Sequence, residues 1–421
     1  MYQITPDKAQ DQQINLPSSK SITHRMLILA ALNRGTTKIS NALIAEDTEI
    51  TKTALQIMGA AINGGDNFFT IRGPIGETTD SEIYLGNSGS SARFLIPLGT
   101  FLDKTVRFYG TERLHKRPFA ELLEAVDHFG HKFDATNNSL PIVTHPGISR
   151  GGVIEFDVLP SSQIVTGLMM AALKMKKNLT VRMTAGMASL PYIKMTADLM
   201  RRLRLNVEFS KTQIRVESLQ PDLDWTLTIE KDFSAASYWV IYALINNTKV
   251  ILKNMNIPSL QGDEEILNIA ESVGADIMLH TDRIEIDGKI KRAFDINCEN
   301  TPDLVPALGV LALFCPSNCH MRNVKFLEYK ESNRIQALQD NINRIGGKSE
   351  YKKGKLTVIP QKSYKGNLIN TFNDHRIAMS FAMAGTRISG IVIDNPDCVN
   401  KSYPGFWKDF TSWKKSQKKK G

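Results

Sequence analysis

Basic and small polar residues recur at the heads of apolar stretches in this sequence. Lys20, Ser21 and Arg25 open SSKSITHRMLILAAL, and Asn87, Gly89, Ser90 and Arg93 open NSGSSARFLIPLG. Ser161, Ser162 and Gln163 open SSQIVTGLMMAALKM, Asp303 opens TPDLVPALGVLALF, and Arg376 opens NDHRIAMSFAMAG. If each stretch is a helix, its N-terminus presents unpaired N–H groups and about half a positive charge, which suits phosphate or carboxylate. A serine or aspartate in such a place is accounted for by N-capping alone. Capping does not explain why Lys or Arg accompanies three of the heads. Heads that converge would form a site for substrates with several negative charges.

Further candidates stand between these stretches. RLHKRP supplies Arg113 and Arg117, YKESNR supplies Lys330 and Arg334, and DCVNKSYPG supplies Lys401. Taken singly each is also readable as solvated surface charge. Arg offers a forked, bidentate contact to carboxylate or phosphate, whereas Lys is a compact point charge. Asp303 and Glu331 are the acids placed for proton chemistry, because neighbouring cations favour the ionised carboxylate that acts as a base.

The elements that must position these residues repeat. Six polar-to-apolar heads, marked by Lys20, Ser88, Ser162, Ser234, Asp303 and His375, recur at ~70 residues. A second series of amphipathic segments lies between them, marked by Gly59, Gly130, Leu205, Gly274 and Gly346 at the same period. A sixth copy would fall near FWKDFTSWKK, where no matching Gly occurs. Each unit holds a nearly all-apolar helix, an amphipathic helix and short β-branched runs such as KVILKNM and LTVIP, which reads as a β-α-β-α-β-β module. Helices apolar on every side are buried helices. Six modules therefore predict an α/β (α+β) chain of two lobes, each of three repeats with helices inside and sheets outside.

Composition narrows the classes. The chain has 421 residues, 42% hydrophobic and 23% charged, an ordinary globular mixture longer than one core usually spans. Its net charge is +9 with a pI near 9.2; Lys414, Lys415, Lys418, Lys419 and Lys420 account for five charges, leaving +4 for the body. That mild excess suits small anionic substrates without nucleic acid. Aromatic residues are 8% and form no interleaved basic-aromatic platform for single strands. Four cysteines offer no disulfide framework, and His320 beside Cys319 lacks a second pair at zinc spacing. No apolar run reaches the ~20 residues of a membrane span, and the opening MYQITPDKAQDQQ lacks the order of a signal peptide. A protein of the reducing cytoplasm, without metal or membrane, is the expectation.

With these residues in view, the sequence resembles the 5-enolpyruvylshikimate-3-phosphate synthases (3-phosphoshikimate 1-carboxyvinyltransferases), of the enolpyruvyl transferase family. The likeness runs nearly end to end through LPSSKSITHR, LGNSGSSAR, HKRP, SSQ, SLPY, TPD, KESNR, NDHR and PDCVNKSYPG, in the family's order. It implies transfer of the enolpyruvyl group of phosphoenolpyruvate to the 5-hydroxyl of shikimate 3-phosphate, with release of phosphate and no cofactor. By matched position, Lys20, Ser21, Arg25, Ser161, Ser162, Gln163, Ser189, Asp303 and Lys330 would contact shikimate 3-phosphate. Lys20, Gly89, Arg117, Gln163, Arg334, Arg376 and Lys401 would hold phosphoenolpyruvate, and Tyr192 would line the shikimate site. Asp303 would be the base and Glu331 the acid for the methylene, with Lys20 the third catalytic group. The family's fold implies lobes of residues 14–229 and 1–13 plus 230–421, crossings near Ile14 and Ile229, a flexible tail over 414–421, lobes closing on ligand, and a monomer.

The sequence departs from the family's pattern at Ser18, Ser88, Phe94, Phe326 and Asn333, none of which removes a charge assigned to chemistry. Phe326 replaces an often polar phosphoshikimate contact. Two other readings compete. The sister UDP-N-acetylglucosamine enolpyruvyl transferases usually carry a reactive Cys in a first-lobe loop, but GTERLHKRPF occupies that region and no cysteine precedes Cys298. An inactive homologue acting as a scaffold is opposed by Lys20, Asp303, Glu331 and Arg376.

Overall fold

The computed structural model describes residues 1–6, 10–157, 161–184 and 189–417, the last five by their backbone alone. The chain divides into two compact units, residues 18–229 and residues 1–17 with 230–421. It passes from one to the other at Pro17/Ser18 and at Ile229/Glu230. Ile14 ends the strand Gln12–Ile14, and the first crossing comes after Pro17, three residues further on.

The described residues form six small sheets with one recurring plan. In the middle module of the unit 18–229, Glu82–Tyr84 lies parallel to Val106–Tyr109, Ile142–His145 adds antiparallel, and Lys132–Ala135 forms the outer edge. Parallel neighbours require a crossover, and the crossover here contains the helix Gly89–Leu95. The helix Ala120–His128 buries Leu122, Leu123, Ala125 and Val126 on one face and leads into the outer hairpin. The module is therefore β-α-β-α-β-β, and Gly152–Phe156 through Gln213–Val216 repeat it. The first module takes its parallel strand from the end of the unit: Trp225–Thr228 returns beside Thr36–Ser40.

The other unit follows the same plan with two substitutions. Gln12–Ile14 supplies the parallel neighbour of Lys249–Lys253. In the last module, Leu368–Ile369 and Val392–Ile393 run parallel, and Tyr2–Gln3 adds antiparallel in a three-stranded sheet. The helix Phe406–Gln417 then stands where the missing sixth amphipathic segment was expected. Phe406 is fully buried and stacks on Phe410 at 5.6 Å, and Tyr2 stacks on Trp407 at 4.2 Å. The Lys-rich tail is helical through Gln417, and residues 418–421 lie outside the described residues.

The apolar helices are inside, as their composition requires. Val305–Ala312 and His375–Ala384 are buried at every position. Four others are buried at every position but one, and that one is always at the head: Ser21 in Lys20–Leu32, Ser90 in Gly89–Leu95, Gln163 in Ser162–Ala171 and Ser234 in Phe233–Asn246. Each fully buried Leu, Ile or Met contributes about 1.5–3 kcal/mol, so the bodies of these helices anchor the fold while their heads reach solvent.

Candidate active site

In the unit 18–229, three helix heads carry the predicted residues. Ser19 caps Lys20–Leu32 by accepting from Ile22 N at 3.4 Å, which places Lys20 and Ser21 in the first turn. Lys20 Nζ donates to Asp47 Oδ2 at 3.0 Å, and Asp47 is itself buried. One turn along, Arg25 joins three helices: Nε donates to Thr196 at 2.8 Å, Nη1 to Ser21 O at 2.8 Å and Nη2 to Tyr192 O at 3.1 Å. Thr166, at 3.5 Å from Nη2, links the third helix, and the guanidinium lies 5.3 Å from the centre of the Phe94 ring. Burial, only partly opposed by Tyr192, lowers the Arg25 guanidinium to about 10, where it stays charged at neutral pH.

A Cβ on Gly89 would lie 2.4 Å from Arg117 Nη1, so the bare backbone is what admits the guanidinium over the head of Gly89–Leu95. Ser161 caps Ser162–Ala171 by accepting from Gln163 N at 3.3 Å. Gln163 Nε2 donates to Ser90 Oγ at 2.9 Å, and its Oε1 accepts from Arg93 at 3.3 Å. Arg93 also donates to Pro118 O at 2.8 Å and lies over Phe119, tying the HKRP segment to both helix heads. Ser189 stands at the head of Leu190–Arg202 with φ of 62°, a left-handed conformation that is strained for a residue with a side chain. Thus Lys20, Ser21, Arg25, Ser189 and Tyr192 form one connected group, and Gly89, Arg117, Ser161, Ser162 and Gln163 another, at the heads of one unit's helices.

The second unit holds a tighter charged cluster. Asp303 lies in the turn Pro302–Leu304 that opens Val305–Ala312, and Arg334 is the first residue of Arg334–Arg344. Asn333 caps that helix by accepting from Gln336 N at 3.1 Å, so the exchange of the family's usual Asp keeps the cap. Arg334 is 1% exposed and divides its guanidinium among three carboxylates: Nη1 to Asp303 at 2.9 Å, Nη2 to Glu331 at 2.6 Å and Nε to Asp374 at 2.8 Å. Arg376 Nη2 donates to the other oxygen of Asp303 at 2.6 Å, and Nη1 donates to Tyr238 at 3.4 Å. Asp374 caps the Arg376 helix through its other oxygen, 3.0 Å from Arg376 N. Lys330 Nζ lies 5.9 Å from the centre of the Phe326 ring, so Phe326 offers this lysine an aromatic face where a polar residue is usual. Lys401 closes the turn Pro396–Lys401 and is 4% exposed.

Electrostatics in this cluster run against burial and prevail over it. Burial pushes the Asp303 carboxyl up, but Arg376, Arg334 and Lys330 together hold it well below the usual aspartate range. Burial likewise opposes the charge on Arg334, and Asp374, Glu331 and Asp303 reverse that effect, holding the proton more firmly than a free guanidinium does. Asp303 is thus a carboxylate over the whole physiological range.

Sequence reasoning overlooked the groups that hold these side chains. Asp47, Thr166 and Thr196 carry no motif signal of their own, and Asp374 stands in NDHR without a role assigned to it, because each meets its partner only in the folded chain. Arg93 was noted at its helix head, although its link to Pro118 was not.

A family model described as EPSP synthase (3-phosphoshikimate 1-carboxyvinyltransferase) matches residues 4–410. A 3-phosphoshikimate 1-carboxyvinyltransferase of Syntrophobacter fumaroxidans is 33% identical over 98% of this chain and 99% of the relative. One from Clostridium kluyveri is 30% identical over 97% and 96%. Among solved structures, an EPSP synthase from Acinetobacter baumannii aligns with a TM-score of 0.80 at 24% identity, covering 98% of this chain and 97% of that one. The enolpyruvyl transferase NikO from Streptomyces tendae aligns with a TM-score of 0.77 at 14% identity, over 97% and 96%. The structural likeness at these identities concerns the fold, and the sequence matches over the full length concern the family. The chain belongs to the EPSP synthase (3-phosphoshikimate 1-carboxyvinyltransferase) family.

Proposed function

We propose that the chain transfers the 1-carboxyvinyl group of phosphoenolpyruvate to the 5-hydroxyl of shikimate 3-phosphate, with the residue roles that its motifs carry from the family. The observation that carries this reading is the pairing of one half-buried aspartate, Asp303, with two buried arginines at 2.9 and 2.6 Å. Asp303 takes the 5-hydroxyl proton as the oxygen adds to C2 of phosphoenolpyruvate. The methylene carbon gains a proton from Glu331, and the tetrahedral intermediate then loses a methyl proton and phosphate. Arg117, Arg334, Arg376, Lys401 and Lys20 carry the phosphate and carboxylate charges, which are spread furthest as phosphate departs.

The internal ion pairs fit this sequence of events. Arg334 and Arg376 are matched by Asp303, Glu331 and Asp374, and Lys20 is matched by Asp47. Ligand anions therefore compete with protein carboxylates for the same cations. An anion that draws Arg334 away from Glu331 removes a hydrogen bond that favours the charged carboxyl, and so prepares Glu331 to carry a proton. Ser21, Arg25, Ser161, Ser162, Gln163, Ser189 and Lys330 hold shikimate 3-phosphate, and Gly89 and Gln163 flank phosphoenolpyruvate. The working form is taken as a monomer in a reducing cytoplasm, with which four free, buried thiols are compatible.

The test is phosphate release from phosphoenolpyruvate with either shikimate 3-phosphate or UDP-N-acetylglucosamine as acceptor. Release with the first alone supports the reading. Release with the second alone overturns the acceptor, and release with neither from folded, phosphate-free protein overturns the activity.

A further inference from the structure

One buried acid near Asp303 takes no part in these roles. Asp263 lies in the turn Gly262–Glu265 and is 3% exposed. Ser234 Oγ, at the head of Phe233–Asn246, donates a hydrogen bond to Asp263 Oδ2. Gln261 fastens the turn to that head: its Oε1 accepts from Phe233 N at 3.1 Å and its Nε2 donates to Lys231 O at 2.7 Å. Ser234 lies one helical turn before Tyr238, which accepts from Arg376 Nη1 at 3.4 Å while Arg376 Nη2 holds Asp303 at 2.6 Å, so one face of Phe233–Asn246 gathers both acids. The charged groups facing Asp263 are Asp232, which caps that helix, Asp303 and Arg376. Arg334, Lys330 and Glu331 act in turn on Asp303. Burial is the strongest influence on Asp263 and the charge of Asp303 the next, and together they push its carboxyl up to about 7 despite Ser234 and Arg376.

The cluster poses a chemical difficulty that Asp263 resolves. Two arginines hold Asp303 ionised, which makes it a weak base for a hydroxyl proton. Repulsion between two carboxylates is mutual, so a charge on Asp263 strengthens the hold of Asp303 on a proton by as much as Asp303 affects Asp263. Once Asp303 has taken the proton it is neutral and the repulsion is gone. The charge on Asp263 therefore favours the transition state over the ground state.

We propose that Asp263 is a positioning residue of the reaction, whose negative charge opposes that of Asp303 within the buried cluster and drives Asp303 to accept the 5-hydroxyl proton. The hydroxyl O–H bond breaks, an O–H bond forms on Asp303, and the electron pair left on the substrate oxygen forms the bond to C2. Asp263 exchanges no atom. This inference rests on Asp303 being the base.

The test compares kcat/KM of the full-length protein and of Asp263→Asn across pH, with Asp303→Asn alongside. Substrate phosphates also titrate near pH ~6, but they do so for both enzymes and cancel in the ratio. Asparagine has the shape and neutrality of protonated Asp263. The wild-type to Asp263→Asn ratio should be about 1 at low pH and rise, with a midpoint near 7, to a plateau of about threefold to tenfold, a modest share of what general-base catalysis contributes. A ratio flat across pH overturns the inference. If Asp303→Asn keeps full turnover, the assignment of the base has failed instead. Should Asp263→Asn not fold, Ser234→Ala decides: losing the donor that favours charged Asp263 should move the rising limb of the wild-type profile to higher pH. An unmoved limb overturns the inference.

Discussion

Arg334→Gln tests the charged cluster at its centre. In the native protein three guanidinium nitrogens of this buried residue serve three carboxylates at 2.6 to 2.9 Å. Glutamine brings a neutral amide with two donors, so at least one carboxylate loses its partner and all three lose the neighbouring charge. Removing one partner of a buried ion pair costs about 3–5 kcal/mol, because the remaining charge stays desolvated. Within a unit of this size each kcal/mol shifts Tm by about 2–4 °C, so Tm should fall by about 6–20 °C. The pH dependence adds a second check. Asp303 is held below its ordinary value of ~3.9, so its stabilising share is complete above that value and is lost as pH falls through the native one. Arg334→Gln lacks part of this share at neutral pH, and the gap in Tm should be widest near pH 7 and close as pH drops below ~4. Thermal unfolding followed by circular dichroism measures both. A loss under about 2 °C at neutral pH, or a gap that widens on acidification, would refute the reasoning.

Other substitutions address the ligands. Asp303→Ala should cut turnover by about 10²–10⁴-fold while calorimetry still detects both substrates, and an unchanged turnover removes Asp303 from the mechanism. Lys20→Ala should weaken shikimate 3-phosphate and phosphoenolpyruvate alike by about tenfold or more, the worth of a charge-assisted hydrogen bond; a titration in which one affinity alone falls refutes the shared contact. Gly89→Ala sets a methyl group 2.4 Å from the present position of Arg117 Nη1. The guanidinium must move, and the KM for phosphoenolpyruvate should rise about tenfold with little change in Tm. A KM within twofold of the parent would separate Gly89 and Arg117 from that ligand.

Much of this protein is legible in its sequence because the informative patterns are local. Apolar runs beginning at Lys20, Gly89, Ser162, Phe233, Val305 and His375 identify buried helices, since an element apolar on every side has nowhere else to go. Polar residues at the heads of those runs mark where the buried helices reach toward solvent. The ~70-residue period carries the module plan, and the ordered motifs carry the family. Tertiary structure alone decides who partners whom. Trp225–Thr228 returns to Thr36–Ser40 through strand pairing that no short segment specifies. Lys20 finds Asp47, Arg25 finds Thr166 and Thr196, and Arg334 finds Asp374, at sequence separations of 27 to 171. The low native pKa of Asp303 and the raised one of Asp263 belong to the same class. A carboxyl group's proton affinity depends on the charges and burial that surround it, and those surroundings exist only after distant segments have packed.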